Sequence, residues 1–270
     1  MGEIIAFPDR YESYVDKAER LRWEAVMAVT NSYVDSYDDT HMIPDVRMLA
    51  YHNAQHTLRV IRNSQRLAQA MECDQELTAL AMLAAAAHDI VQEGARGEME
   101  RASADWLSTR MTAEGFDPED IAACTAAVLG TTPLLDQDGL MTGQQVNQME
   151  FADPRPRIVA QIVASADMGD LYRPYGPLLG RDLYREEHGG LTDDPQLDAD
   201  FLESQDRQLQ LLQNYRYPIA EAEELFGKDR HRLVEYQQQI SRMIRTGQIT
   251  SWRQLIDADM AFCELFTIGT

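Results

Sequence analysis

Three cysteines in 270 residues, at positions 73, 124 and 263, cannot form a disulfide framework. No two of them stand at metal-knuckle spacing, so they read as reduced, partly buried small hydrophobes. None has a histidine neighbour in sequence, which argues against a catalytic thiol. Long apolar runs are also missing, the longest being far short of the roughly 18 residues that a membrane span needs. The first residues, Met1 to Arg10, show no basic flank followed by an apolar core, so no secretory signal is read there and a cytoplasmic protein is expected. Positive charge is scarce: 24 Lys and Arg stand against 45 Asp and Glu, a net charge of −21. Such a chain lacks the basic stripe that a nucleic-acid polymer requires, although a metal and a few local arginines can still dominate a cleft.

What is present is helical periodicity. Apolar positions recur at helical spacing over residues 10–39, through Tyr14, Ala18, Leu21, Ala25, Val29 and Tyr33. A second helical region opens at Pro44 and carries Leu58, Ile61 and Ala68 as its core stripe. Residues 77–91, Leu-Thr-Ala-Leu-Ala-Met-Leu-Ala-Ala-Ala-Ala-His-Asp-Ile-Val, are apolar nearly all round and predict a helix buried on every face. Further helices are expected over 98–111, over 117–129 with Asp117 as N-cap and Pro118 first, and over 157–171. Closing helices are expected over 199–215, 220–226, 229–244 and 251–266, the last with Ser251 as N-cap. Residues 131–156 and 172–196 show no periodicity and read as long irregular stretches, the first a lid candidate. No strand alternation or internal repeat stands out, so the expected class is all-α.

His88 and Asp89 end the buried helix. A carboxylate there costs several kcal/mol unless it is paired, and a bound cation would remove that cost. His52 and His56 lie four apart and share a helix face. Asp167 lies four beyond Val163 and eight beyond Val159, on the apolar face of its helix. His56, His88, Asp89 and Asp167 thus each point a polar group inward. Two imidazoles and two carboxylates suit a divalent ion such as Mn, Fe, Co, Ni, Zn or Mg.

Tyr51-His52-Asn53-Ala54-Gln55-His56 resembles the Tyr-His-Asn-x-x-His motif of class I cyclic-nucleotide phosphodiesterases and of small bacterial hydrolases of the HD superfamily. His88-Asp89 resembles the doublet that names that superfamily, and Ala166-Asp167-Met168-Gly169-Asp170-Leu171 its distal aspartate motif. Glu100-Arg-Ala-Ser103-Ala104 is similar to the Asn-Glu-x-x-Ser-Ala segment of predicted metal-dependent HD phosphohydrolases, with Met99 in place of Asn. The resemblance covers about residues 45–172. It implies an HD-domain helical bundle over residues 1–197, with residues 198–270 as a helical extension packed on the same domain.

By this resemblance His56, His88, Asp89 and Asp167 would hold the metal, Asp89 would orient water, and His52 would protonate the leaving oxygen. Glu93 and Glu100 are further candidates to hold a water or second ion, and Arg173 and Arg181 to grip a phosphate. No histidine occurs between His88 and His188, and Gln92-Glu93-Gly94 stands where the phosphodiesterases carry another, so a mononuclear site is expected. The implied activity is metal-dependent hydrolysis of a small phosphate ester or phosphodiester, a nucleotide foremost. The alternatives are a non-catalytic ligand-binding regulator or scaffold on the same fold, or an HD-type iron oxygenase. No membrane partner is expected, and a homodimer through residues 198–270 stays open.

Overall fold

The structure, a computed structural model, describes residues 13–35, 50–92, 94–188 and 197–268. The end of the first helical stretch beyond Asp35, the start of the second helical region at Pro44, and Glu93 lie outside them. The first six helices are α1 (Tyr14–Asp35), α2 (Ala54–Ala70), α3 (Gln75–Ala87), α4 (Glu98–Ala113), α5 (Pro118–Gly130) and α6 (Pro154–Asp167). Five more follow: α7 (Gly176–Glu187), α8 (Ala199–Asn214), α9 (Ala220–Phe226), α10 (Arg230–Arg245) and α11 (Trp252–Ile268). No helix among the described residues is long and apolar enough to cross a membrane.

α3 is the axis of the molecule, packed against α1, α2, α5 and α6. Leu80, Leu83 and the run Ala84 to Ala87 are fully buried, and the small alanine side chains let neighbouring helices close in from several sides. Asp74 caps its start, accepting from the Leu77 N–H at 2.7 Å, and so satisfies one of the open donors. Cys124 of α5 is buried and directs its thiol to the Leu80 carbonyl, with burial pushing its pKa up, as befits a small hydrophobe. On α2 the buried stripe is Val60, Ile61, Ser64, Leu67 and Ala68, whereas Leu58 points outward and is 42% exposed.

The closing helices and the connection between α8 and α9 contribute Leu212, Tyr215, Tyr217, Phe226 and Phe266 to the same core. A second cluster joins Tyr184, Phe201, Tyr236, Ile240, Trp252 and Leu255 between α7, α8, α10 and α11. Ser251 caps α11, its hydroxyl accepting from the Gln254 N–H at 3.3 Å, but the Asp117 side chain makes no capping bond at α5.

Two expectations are corrected. The stretch after Gly130 is partly ordered as a hairpin, β1 (Pro133–Leu135) against β2 (Met141–Gln144), antiparallel, followed by a 3-10 turn over Gln145–Gln148. Its loop closes because Asp136 accepts from the Asp138 and Leu140 N–H groups while Gly139 takes φ +76. Strands of three and four residues are too short to leave an alternation. The second irregular stretch contains α7. Gly176 and Pro177 at its start read as loop, yet proline fits the first turn of a helix. Gly180 within α7 answers to packing: a Cβ there would lie 2.5 Å from the Gln208 side chain on α8.

Candidate metal centre

Each motif residue is placed by the end of a helix. Asn53 is the N-cap of α2, accepting from the N–H groups of Gln55 and His56 at 2.9 and 3.2 Å, which fixes His56 in the first turn. His88 is the residue on which α3 stops, and its Nδ1–H donates to the Ala85 carbonyl at 2.8 Å. That bond sets the tautomer and turns Nε2 toward the cluster. The chain then leaves the helix, anchored where the Val91 N–H donates to the Ser103 hydroxyl at 3.1 Å. Asp167 is the last residue of α6.

The Nε2 atoms of His56 and His88 face each other at 3.3 Å. A carboxylate oxygen of Asp167 lies 3.3 Å from the first and 3.5 Å from the second. Asp89 stands 3.4 Å from His56 and 2.9 Å from His88. One ligand atom from each of His56, His88 and Asp167 lies within 4.8 Å of the others. Donors arranged about an ion at roughly 2.0–2.2 Å have neighbouring separations of about 3.0–3.5 Å. The donor set therefore fits a divalent ion in chemistry and in spacing. Both histidines are 1% exposed, and the carboxylates about 20%, so the cluster sits on the floor of a cleft.

The electrostatics are those of a site that trades protons for a cation. Burial alone would favour the neutral ring of His88. The Asp89 and Asp167 charges outweigh it and hold the imidazole protonated well above its ordinary range. Burial would likewise raise the carboxyls, but the facing histidines pull Asp89 well below the usual range and Asp167 to about 2.

The cleft above the cluster encloses about 710 Å³, with Tyr51, His52, Asp89 and Asp167 on its walls and the hairpin at one side. His52 Nδ1–H donates to Glu186 Oε1 at 2.5 Å, and the other oxygen of that carboxylate accepts from the Tyr51 and His52 N–H groups. Burial works against the charged ring of His52, yet the Glu186 bond and the Asp89 charge prevail and its pKa is raised. Glu186 was not foreseen: it lies on α7, in a stretch that reads as loop. Gln144 was not foreseen either. Its side-chain N–H donates to Asp167 at 3.1 Å, and the Tyr215 hydroxyl in turn donates to Gln144. Nothing local in the sequence marks such long-range partners.

The remaining candidates are dispersed. Glu100 lines the cleft, but one oxygen accepts from the Gly97 N–H at 2.7 Å and closes the start of α4. Arg173 lines a separate cavity and lies over the Phe226 ring. Arg181 reaches neither space. Its guanidinium is fully buried against Asp259 and Gln205.

No family model and no curated protein matches the chain in sequence. Solved structures do match it. Bacillus subtilis YpgQ, in a crystal structure with ADP, aligns with a TM-score of 0.53 at 14% identity, over 85% of this chain and 95% of that one. A Lactobacillus plantarum protein from structural genomics aligns with a TM-score of 0.53 at 15% identity, over 85% and 97%. A predicted HD superfamily hydrolase from an uncultured Thermotogales bacterium aligns more loosely, with a TM-score of 0.45 at 18% identity over 81% and 90%. At such identities the likeness is one of fold: the chain has the all-α fold that YpgQ has, with His56, His88, Asp89 and Asp167 brought together.

Proposed function

We propose that this chain is a metal-dependent phosphohydrolase of the HD type, acting on a small phosphate ester or phosphodiester with a nucleotide as the first candidate. The observation that carries this reading is the convergence of His56, His88 and Asp167 donors on the floor of an open cleft. The ADP held by the Bacillus subtilis protein of like fold supports a nucleotide as substrate class. His56, His88, Asp89 and Asp167 would hold a divalent ion, which lowers the pKa of water toward neutrality and shields phosphoryl charge. Asp89, on both the cluster and the cleft wall, orients the attacking water. His52, whose protonated form the Glu186 carboxylate favours, gives its proton to the departing oxygen.

The test is elemental mass spectrometry of the purified wild type and of Asp89→Ala, followed by a chromatographic screen for hydrolysis of nucleotides and simple phosphate mono- and diesters with the metal found. About one transition metal per chain, depleted in the variant, with an ester hydrolysed only by the wild type, is the expected result. A folded protein that takes up no metal, or that takes it up and hydrolyses no phosphate mono- or diester, overturns the reading.

A further inference from the structure

A second cavity, of about 390 Å³, opens beside the cleft and shares only Asp170 with its walls. Four of its lining residues are arginines, in a chain whose net charge is −21. Arg59, Arg62 and Arg66 come from α2, where a spacing of three and then four puts them along one face, and Arg173 comes from the turn before α7. Arg59 is satisfied: its Nε donates to Asp170 at 2.7 Å, and Asp170 also accepts from the Tyr175 hydroxyl. Arg62, Arg66 and Arg173 have no carboxylate partner among the described residues. Arg66 and Arg173 are instead held against the Phe226 ring, at 5.6 and 5.3 Å from its centroid.

Like charges four apart on a helix destabilise it, and a third guanidinium facing them adds to the repulsion. The Arg66 pKa is lowered, by partial burial first and then by Arg173 and Arg62. Guanidinium groups gathered around a cavity without a carboxylate partner favour an anion inside it. Planar, multidentate guanidinium donors match phosphate oxygens.

We infer that this arginine-lined cavity is a second binding site, distinct from the metal centre, for a small molecule carrying a diphosphate group. Arg62, Arg66 and Arg173 bind its oxygens, and Arg59 stays with Asp170. None of the metal-centre side chains lines this cavity, so the inference stands independently of the hydrolase reading.

The test titrates inorganic pyrophosphate into the full-length chain by calorimetry, in a chelator so that metal-bound phosphate plays no part. The proteins compared are the wild type, Arg62→Gln/Arg66→Gln, Arg173→Gln and Asp167→Asn, each checked for native helicity. The inference expects one site per chain, weakened at least tenfold in both arginine variants and changed less than twofold in Asp167→Asn. An organic diphosphate ester is run in parallel: binding as tight as pyrophosphate, or tighter, supports the site in either form. Affinity insensitive to the arginines, loss in Asp167→Asn, or no binding by the wild type at millimolar concentration overturns it. Because Arg173 lies on a different segment from the other two, failure of one variant to fold leaves the other decisive.

Discussion

At the scale of single residues, His52 and Glu186 form the pair whose chemistry is most exposed to test. His52 carries a raised pKa because a carboxylate accepts its Nδ1–H. In the proposed reaction the protonated ring is the active form, so kcat falls as pH rises through the His52 pKa. Glu186→Gln removes the charge that raises it, and the alkaline limb of the kcat profile is expected to move to lower pH. His52→Ala should lower kcat by about 10²–10⁴, the usual range for a lost general acid. Steady-state pH profiles of the two variants check both statements, and an unmoved alkaline limb in Glu186→Gln would remove His52 from the acid role. His52 itself was visible in the sequence, through the Tyr-His-Asn-x-x-His spacing. Its partner was not, because Glu186 lies 134 residues away and no spacing rule connects them.

At the scale of elements, most helices declare themselves by apolar period and caps, and α9 falls on its expected residues 220–226. α7 and the hairpin do not. A helix that opens with Gly-Pro and carries Gly180 for close packing has the composition of a loop, and tertiary contact overrides that composition. α7 also carries a buried ion pair. Arg181 and Asp259 are both fully buried, joined at 3.0 Å, with the Tyr236 hydroxyl donating to Asp259 at 2.7 Å. Asp259→Ala leaves the guanidinium without a counter-charge and should cost about 3–5 kcal/mol, read as a lowered urea midpoint. Replacing both members, as Arg181→Met with Asp259→Leu, should recover most of that loss, since the cost lies in the stranded charge and not in the missing pair. Equal destabilisation by the single and double substitutions would show that the pair is needed in its own right.

At the scale of the whole molecule, a net charge of −21 works against compactness. Self-repulsion among surface carboxylates is screened within about 10 Å at 0.1 M salt, so the melting temperature should rise with added NaCl. The exposed ion pairs, such as Arg20 with Glu114, are worth too little each to reverse that trend. Calorimetric scans across ionic strength decide it, and a fall with salt would mean that ion pairs dominate the surface. The arrangement also has a consequence for how the chain is made. All four proposed metal ligands have been synthesised by residue 167, but Arg181 cannot be buried at low cost until residue 259 exists to meet it. α7, and with it the carboxylate that grips His52, therefore docks late. A nascent chain on the ribosome could gather its ion early, yet its proton donor would remain unset until the last helix arrived.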